Sequence, residues 1–183
     1  VIGGVVQQGR DAEIIYVNLG RVEGKVPLAE QVKGEVFKHG DRIKCFVVDV
    51  KQGEKGPEVT LSRSHPAFVK MLFALEVPEI KDRVVDIVGI AREAGARTKL
   101  SVRTHRAGVS PKGALIGPQG SRAQNVMNEL NGEKIDIIDY SDDPAIYVAN
   151  ALAPAKVSSV EIVDLESKSA KVVVPDYQLS LAI

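Results

Sequence analysis

Tryptophan is absent from this 183-residue chain, cysteine occurs once, and aromatic residues make up 4% of the whole. The lone Cys45 supports neither a disulfide framework nor a thiolate metal site, and its place among strand-forming residues reads as a buried free thiol in a cytosolic protein. Three histidines, His39, His65 and His105, stand far apart with no cysteine or carboxylate cluster at ligand spacing. No metal centre is expected, and they read as turn or cap residues. Long hydrophobic runs are missing too: pieces such as CFVVDV and VVDIVGIA are strand-sized, far below the roughly 20 residues of a membrane span. The opening VIGGVVQQ has no initiator Met, basic segment or small-residue cleavage site, so no signal peptide is expected and the start reads as lying inside a strand. Net charge is zero, with 24 Lys and Arg against 24 Asp and Glu, which by itself argues against a strongly electrostatic partner.

The distribution of charge says otherwise. Residues 1–91 balance 13 basic against 13 acidic residues, residues 92–134 carry 8 against 3, and residues 135–183 carry 3 against 8. With 44% hydrophobic residues the chain can bury true cores, and its length suits one domain or two to three small ones.

Residues 1–63 read as five short strands, VIGGVVQQ, EIIYVNLG, RVEGKVPL, RIKCFVVDV and PEVTLS, separated by glycine-rich turns. Five strands in so short a length predict a small barrel. Its aromatics Tyr16, Phe37 and Phe46 could stack on bases, but aromatics in such strands belong to the core about twice as often. Pro66 then opens a helix with Phe68, Leu72 and Leu75 on one face. Two strands follow around a turn at 94–96, the second alternating Lys99, Ser101 and Arg103 with apolar Leu100 and Val102, so one face is polar and basic. Next come a short helical turn at 112–117, a glycine bend, a helix with Ala123, Val126, Met127 and Leu130 in phase, and the strand in NGEKIDIIDY. From residue 142 the same order starts again: Asp143 and Pro144 begin a helix, two strands follow, and Asp176 is placed to cap a last helix. The end at Ile183 reads as a cut through an internal repeat, short of a second bend.

The bend in PKGALIGPQGSRAQNVMNEL has Gly113, Gly117 and Gly120. A nucleotide P-loop requires Lys and Ser/Thr directly after the last glycine, and here Ser121 and Arg122 follow. A dinucleotide loop requires a different glycine spacing after a parallel strand. A helix–G-x-x-G–helix clamp on the backbone of single-stranded nucleic acid fits, and a tight turn that holds nothing is the competing reading. Glycines let a phosphodiester approach the main chain, and the next helix offers N–H groups and a positive dipole end. Pro118 has no N–H, so Gln119, Gly120 and Ser121 are the expected donors, with Lys112, Arg122 and Arg103 supplying charge and Ile135, Asp136 and Ile137 supplying edge groups. The pairs Asp136/Asp139 and Asp142/Asp143 read as strand-end acids and a helix cap rather than a two-metal site.

LIGPQGSRAQNVMNEL resembles the core of a KH RNA-binding domain, and the helix–strand–strand before it gives the type II order. RVEGKVP and VTLSRSHP resemble an S1-type OB barrel. In that order, with LEVPEI, GEKIDIIDY, DDPA and VVVPDYQLSLAI, the whole chain resembles the NusA family of bacterial transcription factors. The resemblance implies a multidomain α+β chain: an S1 barrel over 1–64, a type II KH domain over 65–141, and a second over 142–183 that stops before its own bend. It implies binding of nascent and antitermination-site RNA, contact with RNA polymerase and other elongation factors, and roles in pausing, termination and antitermination. It also implies a monomeric cytoplasmic protein with no cofactor and no catalytic residues. Gly117, Pro118, Gln119 and Gly120 would form the clamp, with Ile116 as groove wall. Two departures stand out: the family's polymerase-binding domain is not in this sequence, and the bend carries no basic residue between its glycines. RNA-degrading enzymes also combine KH and S1 domains, though in the reverse order, and a ribosome-associated role is a third reading.

Overall fold

In the computed structural model, which describes residues 1–182, the first five strands close on themselves. β1 (Ile2–Gln7), β2 (Ile15–Asn18), β3 (Glu23–Val26), β4 (Arg42–Gly53) and β5 (Gly56–Ser62) form a barrel in the order β1-β2-β3-β5-β4, with β4 returning to β1. Alternation along each strand turns Val6, Val17, Val26, Ile43, Cys45, Val59 and Leu61 inward. Closure leaves no free edge, which is how so small a sheet avoids edge-to-edge pairing. β4 runs to Gly53, past the Val50 at which its apolar pattern ends, because the hairpin pairs Gly53 directly with Gly56.

The barrel aromatics are held by packing, but only Phe37 packs on the barrel core: Tyr16 and Phe46 alternate with inward Val17 and Cys45 and so face out of the barrel, Phe46 onto the neighbouring hydrophobic core. Tyr16 is buried, Phe37 packs on the barrel core beneath the Arg63 guanidinium at 5.0 Å, and Phe46 stacks on His65 with ring centroids 4.8 Å apart. Burial likewise pushes the Cys45 thiol up to about 12. At pH 8 Cys45 should therefore react with a disulfide reagent about 1000-fold more slowly in the folded chain than in urea, because only the thiolate attacks. Stopped-flow absorbance checks this, and equal rates would mean the barrel interior is open.

α1 (Pro66–Glu76) is capped by His65, whose Nδ1 accepts from the Ala67 N–H at 3.0 Å. Its buried face is Phe68, Val69, Leu72 and Phe73, and Leu75 is 63% exposed. This corrects the expected stripe: Val69 and Phe73 rotate the centre of the buried face about 90° away from Leu75. α2 (Pro78–Lys81), β6 (Val85–Glu93), β7 (Arg97–Thr104), α3 (Pro111–Ile116), α4 (Ser121–Glu129) and β8 (Lys134–Asp139) follow. The sheet order is β6-β7-β8, antiparallel and then parallel, and α1, α3 and α4 cover one face over Leu100, Val102, Leu115, Val126 and Leu130.

Two buried arginines tie the pieces together. Arg92 and Glu133 are almost wholly enclosed, and Glu133 also accepts from Gly95 N–H at 2.7 Å and Thr98 Oγ1 at 2.7 Å, joining the β6–β7 turn to the start of β8. Arg63, 2% exposed, sits at the seam between barrel and first sheet. Its Nε and Nη2 donate to Glu35 at 2.9 and 2.7 Å, Nη1 to Lys44 O at 2.7 Å, and Nη2 to Glu129 O at 2.8 Å. Burial alone would lower its pKa, but the Glu35 carboxylate outweighs that and holds it above the ordinary guanidinium value.

The remaining elements are α5 (Pro144–Ala151), β9 (Ser159–Asp164), β10 (Ser169–Val173) and α6 (Leu179–Ala182), with β9 and β10 antiparallel. Asp143 caps α5, its Oδ1 accepting from Ala145 N–H at 2.9 Å. Asp176 makes no cap: it lies inside a 3-10 turn over Asp176–Gln178 that precedes α6. Ile183 and the second bend expected after it lie outside the described residues. The polar face of β7 is covered by α5. Lys99 Nζ donates to the carbonyls of Ala151 and Ala153, the Ser101 and Tyr147 hydroxyls are 2.6 Å apart, and Asn150 Nδ2 donates to Asp139 O at 3.0 Å. Among the described residues no helix is long and apolar enough to cross a membrane.

Candidate nucleic-acid interface

The glycine bend lies between α3 and α4, both of which pack on β8, the strand at the edge of the three-stranded sheet. Ser110 starts α3, its Oγ accepting from Gly113 N–H at 3.1 Å, and Pro111 takes the first helical position. α3 ends at Gly117, whose φ of 75° and ψ of 176° fall in a region open essentially to glycine alone. Pro118–Gly120 makes one 3-10 turn, with Gln119 at φ 55° and Gly120 at φ 73°, both left-handed. Nothing lies within 4 Å of where a Gly120 Cβ would stand, so the far side of the bend faces solvent. α4 then buries Ala123, Val126 and Leu130 in phase, as the spacing predicts, with Met127 packed alongside.

The amides of the bend are used differently from the expectation. Gly120 N–H donates to Gly117 O at 3.1 Å and Ser121 N–H donates to Pro118 O, so two of the three expected donors close the turn itself. What the bend offers outward is close approach to a glycine-lined main chain.

Around it the side chains divide by sheet face. Ile116 is 40% exposed at the end of α3, and Ile135 and Ile137 are half-buried on β8, packed on the same core as α3 and α4. Lys112 reaches from α3 toward the end of β8, its Nζ 3.7 Å from Asp139 Oδ2, with both groups about half exposed. Lys112 and Ile116 thus lie on α3, which packs on β8, where Ile135 and Ile137 share the helix-covered face. Arg103 and Asp136 do not share it: strand alternation puts them on the face opposite Leu100 and Ile137. There Arg103 lies 3.8 Å from Asp86 and 5.8 Å above the Tyr140 ring, and Asp136 faces Arg97 at 3.4 Å. Arg122, although adjacent to the bend, turns its guanidinium inward to Glu79 Oε2 at 2.9 Å and Ala114 O at 2.8 Å. Sequence spacing gives no sign of Glu79, which lies 43 positions away. Nor does it show that Ser101 and Lys99 meet Tyr147 and the end of α5, because contacts between separate units leave no periodic trace.

A helix, two antiparallel strands, two helices hinged at a G-x-x-G bend and a returning parallel strand make this a type II KH-domain protein, here preceded by a five-stranded barrel. Residues 63–140 match the family described as the NusA-like first KH domain, and residues 144–183 match the NusA-like second KH domain. Over the whole chain, the transcription termination/antitermination proteins NusA of Mycobacterium tuberculosis, Bacillus subtilis and Thermus thermophilus are 55%, 50% and 44% identical. The aligned regions make up 55%, 49% and 47% of those relatives, so the chain spans about half the length of the curated proteins it matches. The chain belongs to the NusA family.

Proposed function

We propose that this chain is the single-stranded RNA-binding region of a bacterial transcription factor, binding nascent RNA in pausing, termination and antitermination. The observation that carries the proposal is the Gly117–Gly120 bend, anchored by a glycine-only conformation at Gly117 and open on its outer side at Gly120, between two helices that pack on β8; Ile116, Ile135 and Ile137 would wall the groove. The phosphodiester backbone would lie against Gly117, Pro118, Gln119 and Gly120, with bases toward the apolar wall and Lys112 the nearest cation. Its parts are a barrel over 1–64 and KH units over 65–141 and 142–183. RNA polymerase, other elongation factors and antitermination-site RNA are the proposed partners of a monomeric cytoplasmic protein that needs no cofactor.

Fluorescence anisotropy with a labelled single-stranded RNA tests this. Binding should weaken with salt with a log–log slope of about −0.7 for each phosphate neutralised, and a flat response would rule out backbone contact. No observation favours a processing enzyme. The same RNA incubated with phosphate and Mg²⁺ should keep its length, and shortening would replace the proposed reading with that one.

A further inference from the structure

Resting on that reading of the bend, we propose that Arg122 is a positioning residue: paired with Glu79, it braces the G-x-x-G loop from behind and does not hold a phosphate. Three elements meet at its side chain. Arg122 opens α4, Glu79 belongs to α2, and the Ala114 carbonyl lies in the last turn of α3, where main-chain acceptors have no partner within the helix. Nη1 donates to Glu79 at 2.9 Å and to Ala114 O at 2.8 Å, so one guanidinium caps α3 and pins it to α2 and α4.

The stem of the same side chain fills the space behind Gly117. A Cβ at position 117 would stand 2.6 Å from Arg122 Cγ and 2.9 Å from Cδ. Gly117 is therefore required both by its φ of 75° and by the arginine lying across it, and the loop's shape is set by a side chain that faces away from the ligand. The positive charge is spent on a carboxylate and a carbonyl. Both bonds leave one nitrogen, Nη1, which stands one bond further from the backbone than a lysine ammonium, so a lysine here would fall short of the two acceptors.

Removing Glu79 separates a brace from a phosphate contact by the sign of the effect. If Arg122 held a phosphate, Glu79→Ala would free its charge, and RNA would bind as tightly or more tightly. A brace predicts the reverse: affinity for a fluorescein-labelled single-stranded RNA of mixed sequence falls about fivefold to tenfold in Glu79→Ala, with an unchanged salt slope. Glu79→Gln, which keeps an acceptor for Arg122, should recover most of that loss. Arg122→Ala should lose affinity without the change of about 0.7 in slope that a lost phosphate contact brings. In ¹H–¹⁵N spectra without RNA, Glu79→Ala should move the Gly117 and Gly120 amide resonances while those of the barrel stay in place.

Tighter binding by Glu79→Ala, or a reduced slope in Arg122→Ala, overturns the brace. So do unmoved Gly117 and Gly120 resonances. If the unaltered protein fails to bind RNA, the functional reading falls while the resonances still decide the brace. Should Glu79→Ala fail to fold, Glu79→Gln and Arg122→Lys give the same comparisons, with the lysine variant expected to bind more weakly at unchanged slope.

Discussion

Gly120→Asp is expected to weaken binding of single-stranded RNA by about 100-fold, since a carboxylate set against a phosphate costs several kcal/mol. The substitution adds charge where the backbone of the ligand would lie. The chain should still fold, because no atom stands within 4 Å of the new Cβ and aspartate tolerates the left-handed conformation better than most residues. Gly120→Asn is the matched control: its side chain has the same shape without the charge, and it should retain most of the affinity. Anisotropy titrations of the three proteins, with circular dichroism to show that each is folded, decide the matter. Equal affinities for Gly120→Asp and the unaltered chain would remove the bend from the binding site.

Arg63→Ala should destabilise the chain by about 3–5 kcal/mol, the cost of leaving a buried carboxylate without its counter-charge. Glu35 would lose both of its hydrogen bonds from Arg63, and the carbonyls of Lys44 and Glu129 would each lose a donor. The packing of the guanidinium between Phe37 and Phe68, 5.0 and 5.3 Å from their rings, would go as well. Because these partners lie on both sides of the seam, the barrel should also begin to unfold separately from the first sheet. Urea titration followed by circular dichroism would show an earlier and broader transition. A loss under about 1 kcal/mol would mean that the seam holds by apolar contact alone.

Much of the architecture is legible in the sequence. All five barrel strands fall on the segments whose alternation and turn residues mark them, and the spacing of Ala123, Val126 and Leu130 predicts the buried face of α4. Asp143 and Pro144 predict the start of α5. Such features are local: cap, period and turn chemistry are set by neighbouring residues. What stays hidden is non-local. The alternation of Lys99, Ser101 and Arg103 shows a polar face but not that α5 covers it through Tyr147 and Asn150. The nearness of Arg122 to the glycines suggests a ligand contact, because distance along the chain says nothing of Glu79 on another helix. Leu75 is misplaced for a related reason: three apolar positions define a stripe, but the buried face is centred by Val69 and Phe73, whose weight appears only when the sheet beneath is known.

The cations of the basic stretch, residues 92–134, are largely engaged within the molecule: Arg92 with Glu133, Arg97 with Asp136, Lys99 with two carbonyls, Arg103 with Asp86, Lys112 near Asp139 and Arg122 with Glu79. Pairing with carboxylates shortens the reach of these charges, and what field the stretch still projects comes mainly from Lys99, whose carbonyl partners leave its charge in place, and from exposed Arg106 and Lys134. With so few cations left to steer it, RNA bound as proposed above would be selected less by how fast it arrives than by how long it stays.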